Sequence, residues 1–119
     1  MIASTRPVHY DCILIGGGLQ SGLLAMALNN FHPESSVLVI ERRCKIAGNH
    51  TWSFHPGDVP ESCRSWVEPL VEERWEGYEV LIGSCRRHVA LPYATISSPH
   101  FASIVEGVLR GDSGERLPQ

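Results

Sequence analysis

The sequence has 119 residues and a formal net charge of −3, with 43% hydrophobic and 19% charged residues. The length corresponds to about one domain, which excludes a large multidomain protein. The composition is too apolar for a disordered chain and too polar for a bundle of membrane-spanning helices. Because the net charge is negative, we expect no nucleic-acid partner. These properties indicate a globular piece of a protein.

The cysteines and the N-terminal stretch bear on the cellular compartment. The four cysteines lie 19 or more positions apart, without a Cys-x-x-Cys pair or histidines at zinc-binding spacing, so we expect no metal site and a reducing environment. Residues 12–28 follow Arg6 and resemble the hydrophobic part of a signal peptide, but Asp11 and three consecutive glycines interrupt that pattern. We therefore expect a cytoplasmic protein.

The first predicted elements form one βαβ unit. Residues 10–15 are apolar and β-branched, which is typical of a strand covered on both faces. Residues 19–28 carry apolar side chains at helical spacing, and residues 37–40 are a second apolar run. Two buried strands joined by a helix of about a dozen residues pair in parallel. Strand, helix and parallel strand are therefore predicted within the first 41 residues.

The middle of the chain is less regular. Residues 44–60 contain several prolines and glycines and predict a long ordered loop. Residues 62–73 predict a short helix that Pro69 either interrupts or restarts. Residues 79–82 and 86–91 have strand character around a Gly-Ser turn, which predicts a hairpin.

A last helix is predicted over residues 98–109. Ser98 precedes Pro99, and proline suits the first helical position, so we expect the Ser98 hydroxyl to cap this helix. Its apolar side chains recur at helical spacing, at Phe101, Ile104, Val105, Val108 and Leu109. Residues 111–119 have no apolar periodicity and are predicted to be a disordered or truncated tail.

The most informative segment is the run of glycines between the first strand and its helix. In dinucleotide-binding folds the first glycine permits a tight turn, the second lets the backbone approach a diphosphate, and a third small residue allows close packing. Gly16 and Gly18 take the first two roles, and Ser21 with Gly22 behind it takes the third. The diphosphate would lie at the positive end of the helix dipole. A glycine-rich turn of another α/β protein is the alternative.

Glu41 adds the acidic residue that such a site needs. It ends the second strand 19 positions after Gly22 (41 − 22), close to the roughly 20 positions typical of a carboxylate that binds the adenosine ribose. A carboxylate here repels a 2′-phosphate, which disfavours NADP and leaves FAD or NAD. The spacing does not choose between these two.

Several strings of residues together resemble one protein family. They are Gly16-x-Gly18-Leu19-x-x-Gly22, Glu41 after the second strand, and Ala47-Gly48-Asn49-His50-Thr51-Trp52-Ser53-Phe54-His55. These strings resemble the N-terminal region of the bacterial-type lycopene beta-cyclases, flavin-dependent enzymes that form carotenoid rings. Residues 65–71 and 96–101 are similar to that family too, so the resemblance extends over residues 10–109. Many flavoproteins share the glycine motif, whereas the Gly-Asn-His-Thr-Trp-Ser-Phe string is specific.

The resemblance implies an α/β fold, namely an incomplete N-terminal βαβ Rossmann-like FAD-binding unit of a glutathione-reductase-like flavoprotein. It also implies reduced FAD as the cofactor, NADPH as the reductant and lycopene as the substrate whose ends become β-ionone rings. Gly16, Gly18, Gly22 and Glu41 then correspond to FAD contacts, and Asn49 belongs to a loop next to the cofactor. A peripheral contact with the cytoplasmic membrane is expected because a membrane would supply the polyene.

The sequence also departs from the family. Family chains are several times longer, and their acidic Phe-Leu-Glu-Glu-Thr motif is absent here, so no catalytic residue is assigned. We expect an inactive fragment with an arm at residues 1–9, a partial FAD/NAD(P)-binding domain at 10–110 and a tail at 111–119. The alternatives are a fragment of another FAD-dependent oxidoreductase or hydroxylase, and a catalytically silent nucleotide-binding fragment.

Two further groups of side chains have both functional and structural interpretations. His50 and His55 lie in the family-like string, but no carboxylate or thiolate completes a metal site with them. Trp66, Trp75 and Tyr78, with their apolar neighbours, either form a surface for a polyene or simply pack a short helix and strand. Packing is the favoured interpretation of the second group.

Overall fold

The computed structural model describes residues 8–111. In chain order they form β1 (Cys12–Ile15), α1 (Leu19–Phe31), β2 (Val37–Ile40), β3 (Thr51–Phe54), α2 (Glu61–Val67), β4 (Glu73–Trp75), β5 (Tyr78–Ile82), β6 (Cys85–Val89), β7 (Tyr93–Ser97) and α3 (Ser98–Arg110). Single 3-10 turns occupy Pro56–Asp58 and Glu68–Leu70. Most of the predicted N-terminal arm, and the predicted tail beyond Gly111, lie outside the described residues.

The predicted βαβ unit is confirmed. β1 and β2 pair in parallel along all four residues of each strand, and α1 connects them. α1 ends at Phe31, three residues beyond the apolar pattern of residues 19–28. The N–H of His32 still donates to the carbonyl of Leu28 at 2.7 Å, so backbone hydrogen bonding continues past the last apolar residue.

The prediction that β1 is covered on both faces is wrong for the described chain. Leu14 is buried, but its neighbours Ile13 and Ile15 are 53% and 84% exposed. Successive side chains of a strand point to opposite faces, so one face of β1 is packed and the other is open. An apolar sequence does not distinguish a strand covered on both faces from one covered on a single face. It shows which side chains could be buried, but not which other segments pack against them.

A three-stranded antiparallel sheet follows, with β7 in the centre between β3 and β4. The prediction of a continuous loop over residues 44–60 is therefore wrong at β3, and the sequence predicts neither β4 nor β7. β3 is four residues long, and its register partners in β7 are 40 to 46 positions away. Such short strands are defined by their distant partners, which local propensity does not detect.

Two further predictions are confirmed in the middle of the chain. α2 ends at Val67, and the 3-10 turn Glu68–Leu70 follows with Pro69 near its start, so the proline does mark a break in the helix. β5 and β6 form the predicted hairpin with Gly83 and Ser84 as its turn. Gly83 has φ +58°, a conformation that favours glycine.

α3 is confirmed, but its cap is one residue earlier than predicted. The N-cap is Ser97, whose Oγ accepts a hydrogen bond from the N–H of His100 at 3.4 Å. Ser98 is instead the first helical residue and is buried. Two adjacent serines carry the same capping chemistry, so the sequence alone does not choose between them.

The core forms where α1 and α3 meet β7 and the segment after β2. Its buried members are Met26, Ala47, Leu70, Ile96, Phe101 and Val105. Phe101 and Val105 belong to the predicted apolar face of α3, and the other three members of that face pack around the core in partly buried positions. Within residues 8–111 no helix combines the length and the apolar character needed to cross a membrane.

Candidate cofactor site

The glycine loop, residues 16–18, connects the end of β1 to the start of α1. Gly16 has φ +91°, which explains why a glycine is needed for the tight turn. Its N–H donates to the carbonyl of Ile40 at 2.7 Å, which ties the loop to the end of β2. Gly18 is the N-cap of α1, and no side chain of the part of the chain that the structure describes caps this helix end. The first turn of α1 therefore presents backbone N–H groups without a side-chain partner.

Gly17, which the sequence interpretation left without a role, is the most tightly packed residue of the loop. A Cβ at this position would lie 2.6 Å from Cγ2 of Ile46 and 3.3 Å from Cβ of Glu41. Its N–H donates to Oε2 of Glu41 at 2.7 Å. Three consecutive glycines were the signal in the sequence, since the standard motif requires only the first and the third of them.

Glu41 lies at the glycine loop with both carboxylate oxygens hydrogen-bonded. Oε2 accepts from the N–H of Gly17, and Oε1 accepts from the N–H of Arg43 at 2.9 Å. These backbone donors, Gly17 first, hold the pKa of Glu41 below its ordinary value. The side chain is therefore a fixed carboxylate at neutral pH.

A cleft of about 340 Å³ opens beside this pair. Three segments line it, namely the glycine loop with the start of α1, the segment that follows β2, and the segment that leads into β3. The lining residues are Gly17, Gly18, Leu19, Glu41, Arg42, Arg43, Lys45, Ala47, Gly48, His50 and Trp52. Of the predicted site residues, the structure thus brings Gly18 and Glu41 together at one cleft, whereas Gly16, two positions before Gly18, does not line it.

Gly22 and Asn49 do not line this cleft. A Cβ on Gly22 would lie 2.3 Å from Cζ and 2.5 Å from Cε1 of Phe101, so this glycine lets α1 and α3 approach each other. Asn49 is exposed, between the lining residues Gly48 and His50. The structure therefore places Gly22 at a helix–helix contact and Asn49 at the outer side of the loop.

Residues 47–50 form the wall of the cleft opposite α1, and we call them the 47–50 loop. The buried residue Ala47 has φ +69°, which lies in the left-handed region, and Gly48 follows with φ +65°. The N–H of Ala47 donates to the carbonyl of Gly17 at 2.6 Å, which connects the two walls directly. Backbone strain of this kind persists where the surrounding contacts impose it, as is common next to functional sites.

Three cationic residues also line the cleft, and the sequence interpretation gave them no role. Arg42, Arg43 and Lys45 follow Glu41 in the chain and all contribute to its lining. Their charges favour phosphate groups, which arginine binds through its planar fork and lysine as a point charge. Their position directly after the strand-terminal acid was visible in the sequence as a charged run. The sequence did not show that these side chains line a cleft, because a run of charged residues usually lies on a solvated surface.

A second, apolar groove of about 560 Å³ lies next to the cleft and shares Leu19 and Trp52 with it. Trp66 and Val67 line this groove, and the buried indole N–H of Trp66 has no hydrogen-bond partner among residues 8–111. The predicted aromatic set is divided between different places. Trp75 and Tyr78 instead pack around Tyr93, each with ring centroids 5.8 Å from it.

No group of three or more metal-ligating side chains comes together within residues 8–111. His50 and His55, the two histidines of the family-like string, have separate surroundings. His50 lies beside Trp52 at the cleft, whereas a ring nitrogen of His55 is 2.9 Å from the carbonyl oxygen of Pro92. The site is therefore built from backbone amides, one carboxylate and three cations.

The family profile and the relatives that match most of this chain are all lycopene cyclases. The profile of the lycopene cyclase protein family matches residues 11–117. The lycopene beta-cyclase of Pantoea ananas is 41% identical over 98 residues, which are 82% of this chain and 26% of that protein. The lycopene beta-cyclase of Pseudescherichia vulneris is 42% identical over 99 residues, 83% of this chain and 26% of that protein. That of a Paracoccus species is 30% identical over 101 residues, 85% of this chain and 25% of that protein.

The residues matched by the family profile include the glycine loop, Glu41 and the whole 47–50 loop, and therefore every segment that lines the cleft. The chain spans about a quarter of the length of these curated relatives. Because the family profile covers residues 11–117, nearly the whole sequence, the chain belongs to the lycopene cyclase family.

Proposed function

We propose that this chain is the FAD-binding corner of a lycopene beta-cyclase, which forms β-ionone rings at the ends of lycopene in carotenoid biosynthesis. The observation that carries the proposal is the cleft where the uncapped start of α1 and the carboxylate of Glu41 meet. Family membership supports the cyclase activity, since the relatives matched over most of this chain are named for it. The βαβ unit would be the first part of a glutathione-reductase-like flavoprotein domain.

The residues of the cleft fit the diphosphate and ribose of FAD. A Cβ on Gly18 would have no atom within 4 Å, so this glycine borders open space that a diphosphate could occupy. The free amides of the first turn of α1 and the nearby cations favour negative charge there. Each carboxylate oxygen accepts about two hydrogen bonds, so Glu41 retains capacity for ribose hydroxyls after binding Gly17 and Arg43.

The carboxylate of Glu41 also bears on the choice of nucleotide. It lies fixed at the cleft, where it would repel a 2′-phosphate, so NADP is a poor ligand for this site. NADPH would act elsewhere in the cyclase, as the reductant that keeps the flavin reduced. When bound, reduced FAD supplies negative charge close to a developing carbocation, which is electrostatic stabilisation by a preorganised group.

The chain's own residues, in this proposal, bind and orient the cofactor and do not transfer protons to the polyene. The acidic motif that the resemblance associates with catalysis is absent from the sequence, so no catalytic residue is assigned. Lycopene would reach the enzyme from a membrane, through a peripheral contact. The rival proposal of another flavin-dependent oxidoreductase accounts for the glycines but not for the specific string at residues 48–54.

A flavin titration with a matched pair of variants tests the cofactor site. Gly18→Val fills the open space beside the first turn of α1, whereas Gly57→Val fills open space at a position that does not line the cleft. We expect the wild-type chain and Gly57→Val to quench FAD fluorescence alike, and Gly18→Val to bind at least about tenfold more weakly, a loss of roughly 1.4 kcal/mol. Equal binding by all three, or none by the wild-type chain, would refute the site.

The cyclase activity is tested separately in a chimera. Residues 10–109 replace the matching segment of the Pantoea ananas relative, and the chimera is expressed in cells that accumulate lycopene. We expect carotenoids with β-ionone rings on chromatography, and none when Gly18→Val is added. A chimera that retains FAD but forms no rings would contradict the cyclase assignment and leave the cofactor site intact.

A further inference from the structure

α3 lines no part of the cleft, yet its first turn contacts the 47–50 loop, Trp52 and α1, each of which contributes to the lining. Ser98 and Phe101 are three positions apart and therefore lie on the same side of the helix. Both side chains are buried, with exposed fractions of 3% and 0%. The function proposed above gives this turn no role, although residues 96–101 belong to the strings that resemble the family.

Ser98 makes a reciprocal pair of hydrogen bonds with the backbone of His50. Its N–H donates to the carbonyl of His50 at 2.9 Å, and its Oγ accepts from the N–H of His50 at 3.1 Å. Both backbone groups of one residue in the 47–50 loop are thus held by a single buried serine. Backbone polar groups of a surface loop otherwise form hydrogen bonds with water. Because those of His50 are paired with Ser98, the conformation of the loop is restricted at the point where it lines the cleft.

Phe101 connects the same turn to α1, whose first residue, Leu19, lines the cleft. Its ring lies directly against Gly22 in the second turn of α1, close enough to leave no room for a Cβ. The same ring packs edge-on against Trp52, with centroids 5.2 Å apart, and Trp52 lines the cleft. Ser98 therefore holds the 47–50 loop against a helix that is itself packed against α1.

We propose that Ser98 is a positioning residue of the cofactor cleft, which holds the 47–50 loop at the distance from the glycine loop that the nucleotide requires. As far as it concerns FAD, this inference rests on the proposed function. Without the Ser98 hydroxyl the N–H of His50 loses its protein partner, and the loop samples more conformations. A ligand that must order a mobile wall binds more weakly, because the ordering opposes association.

The test compares Ser98→Ala with Ser97→Ala in the 119-residue chain. Ser97 is the matched control, since it is the adjacent serine and its hydroxyl caps α3 through the N–H of His100. Amide hydrogen exchange measured by NMR reports each hydrogen bond separately. We expect faster exchange at His50 only in Ser98→Ala, and faster exchange at His100 only in Ser97→Ala, by about tenfold in each case.

FAD binding distinguishes positioning from a general loss of stability. We expect Ser98→Ala to raise the Kd for FAD by about tenfold and Ser97→Ala to leave it within about twofold, although both variants are destabilised. Unchanged exchange at His50 in Ser98→Ala, or an equal effect of both variants on the Kd, would overturn the inference. If the wild-type chain binds no FAD, the proposed function fails, and exchange at His50 still decides whether Ser98 holds the loop.

Discussion

Glu41 holds the glycine loop in place and is also the residue proposed to bind the ribose. Its carboxylate accepts hydrogen bonds from two backbone N–H groups, one in the glycine loop and one in the segment after β2. It therefore organises the cleft before any ligand arrives. The charge that would recognise a ribose also fixes the loop that would receive the diphosphate.

This arrangement predicts a particular dependence of stability on pH. The hydrogen bond from Gly17 is the first cause that lowers the pKa of Glu41 below 4.5, its ordinary value. The unfolded chain then binds the proton more readily than the folded chain does, so the stabilisation is complete above about pH 4.5 and is lost as the pH falls through the folded pKa. We expect Glu41→Gln to be less stable at pH 7 and to have a flatter stability profile below pH 4.5.

Urea unfolding between pH 3 and pH 7, on the order of one pH unit per step, measures this profile. Asp11→Asn is the matched control, because the N–H and hydroxyl of Ser36 lower the pKa of Asp11 at a site away from the cleft. That variant is expected to flatten the profile independently and to leave FAD binding unchanged. An acid limb that is the same in Glu41→Gln and wild type would contradict the role given to the Gly17 hydrogen bond.

At the scale of elements, the contact between α1 and α3 determines how the glycine loop is held. Gly22 allows the ring of Phe101 to lie against the backbone of α1. The third small position of the motif was predicted to let the helix pack close to the strand. In the structure Gly22, next to that position, lets two helices pack together. The sequence shows the need for a small residue, but not which neighbour requires it.

Substitution of two glycines inside helices separates the effect of this packing on stability from the effect of helix propensity. Alanine is favoured over glycine inside a helix by about 1 kcal/mol, so Gly107→Ala in α3, where a Cβ meets no atom within 4 Å, is expected to stabilise the chain. Gly22→Ala brings the same propensity gain but places a Cβ against a buried aromatic ring, and we expect a net loss of about 1–3 kcal/mol. Thermal and urea unfolding measure both changes. A stabilising Gly22→Ala would show that α1 and α3 are not tightly packed.

At the scale of the whole molecule, one face of the parallel sheet is open. Ile13, Ile15 and Ile40 expose between 49% and 84% of their surface, and within residues 8–111 β1 pairs only with β2. Exposed apolar strands of this kind promote association between chains. The curated relatives are about four times as long as the matched region.

The open face predicts self-association of the described chain. We expect Ile13→Thr with Ile15→Thr to reduce association in sedimentation measurements and to change the free energy of unfolding by less than about 1 kcal/mol, since both side chains are exposed. Leu14→Ala, on the packed face of the same strand, is expected to cost about 2–5 kcal/mol. Equal costs for both faces would contradict the burial pattern of β1.

The sequence by itself determined the features that depend on neighbouring residues. The βαβ unit, the hairpin and α3 follow from apolar periodicity and turn residues within short windows. The meeting of Gly18 and Glu41 also follows, because parallel pairing of β1 and β2 brings the ends of both strands to the same edge. Family membership was equally visible, since it rests on strings of adjacent residues.

Only the tertiary structure decided the features that depend on residues far apart in the chain. The pairing of β7 with β3, the contact of Gly22 with Phe101 and the hydrogen bond between Ser98 and His50 each join residues separated by 40 or more positions. The identity of a residue gives its size and its hydrogen-bonding groups, but the packing of the whole core determines which residue it contacts. For that reason the sequence indicated Gly18 and Glu41 at the cleft, and the fold decided which other residues line it and what holds them in place.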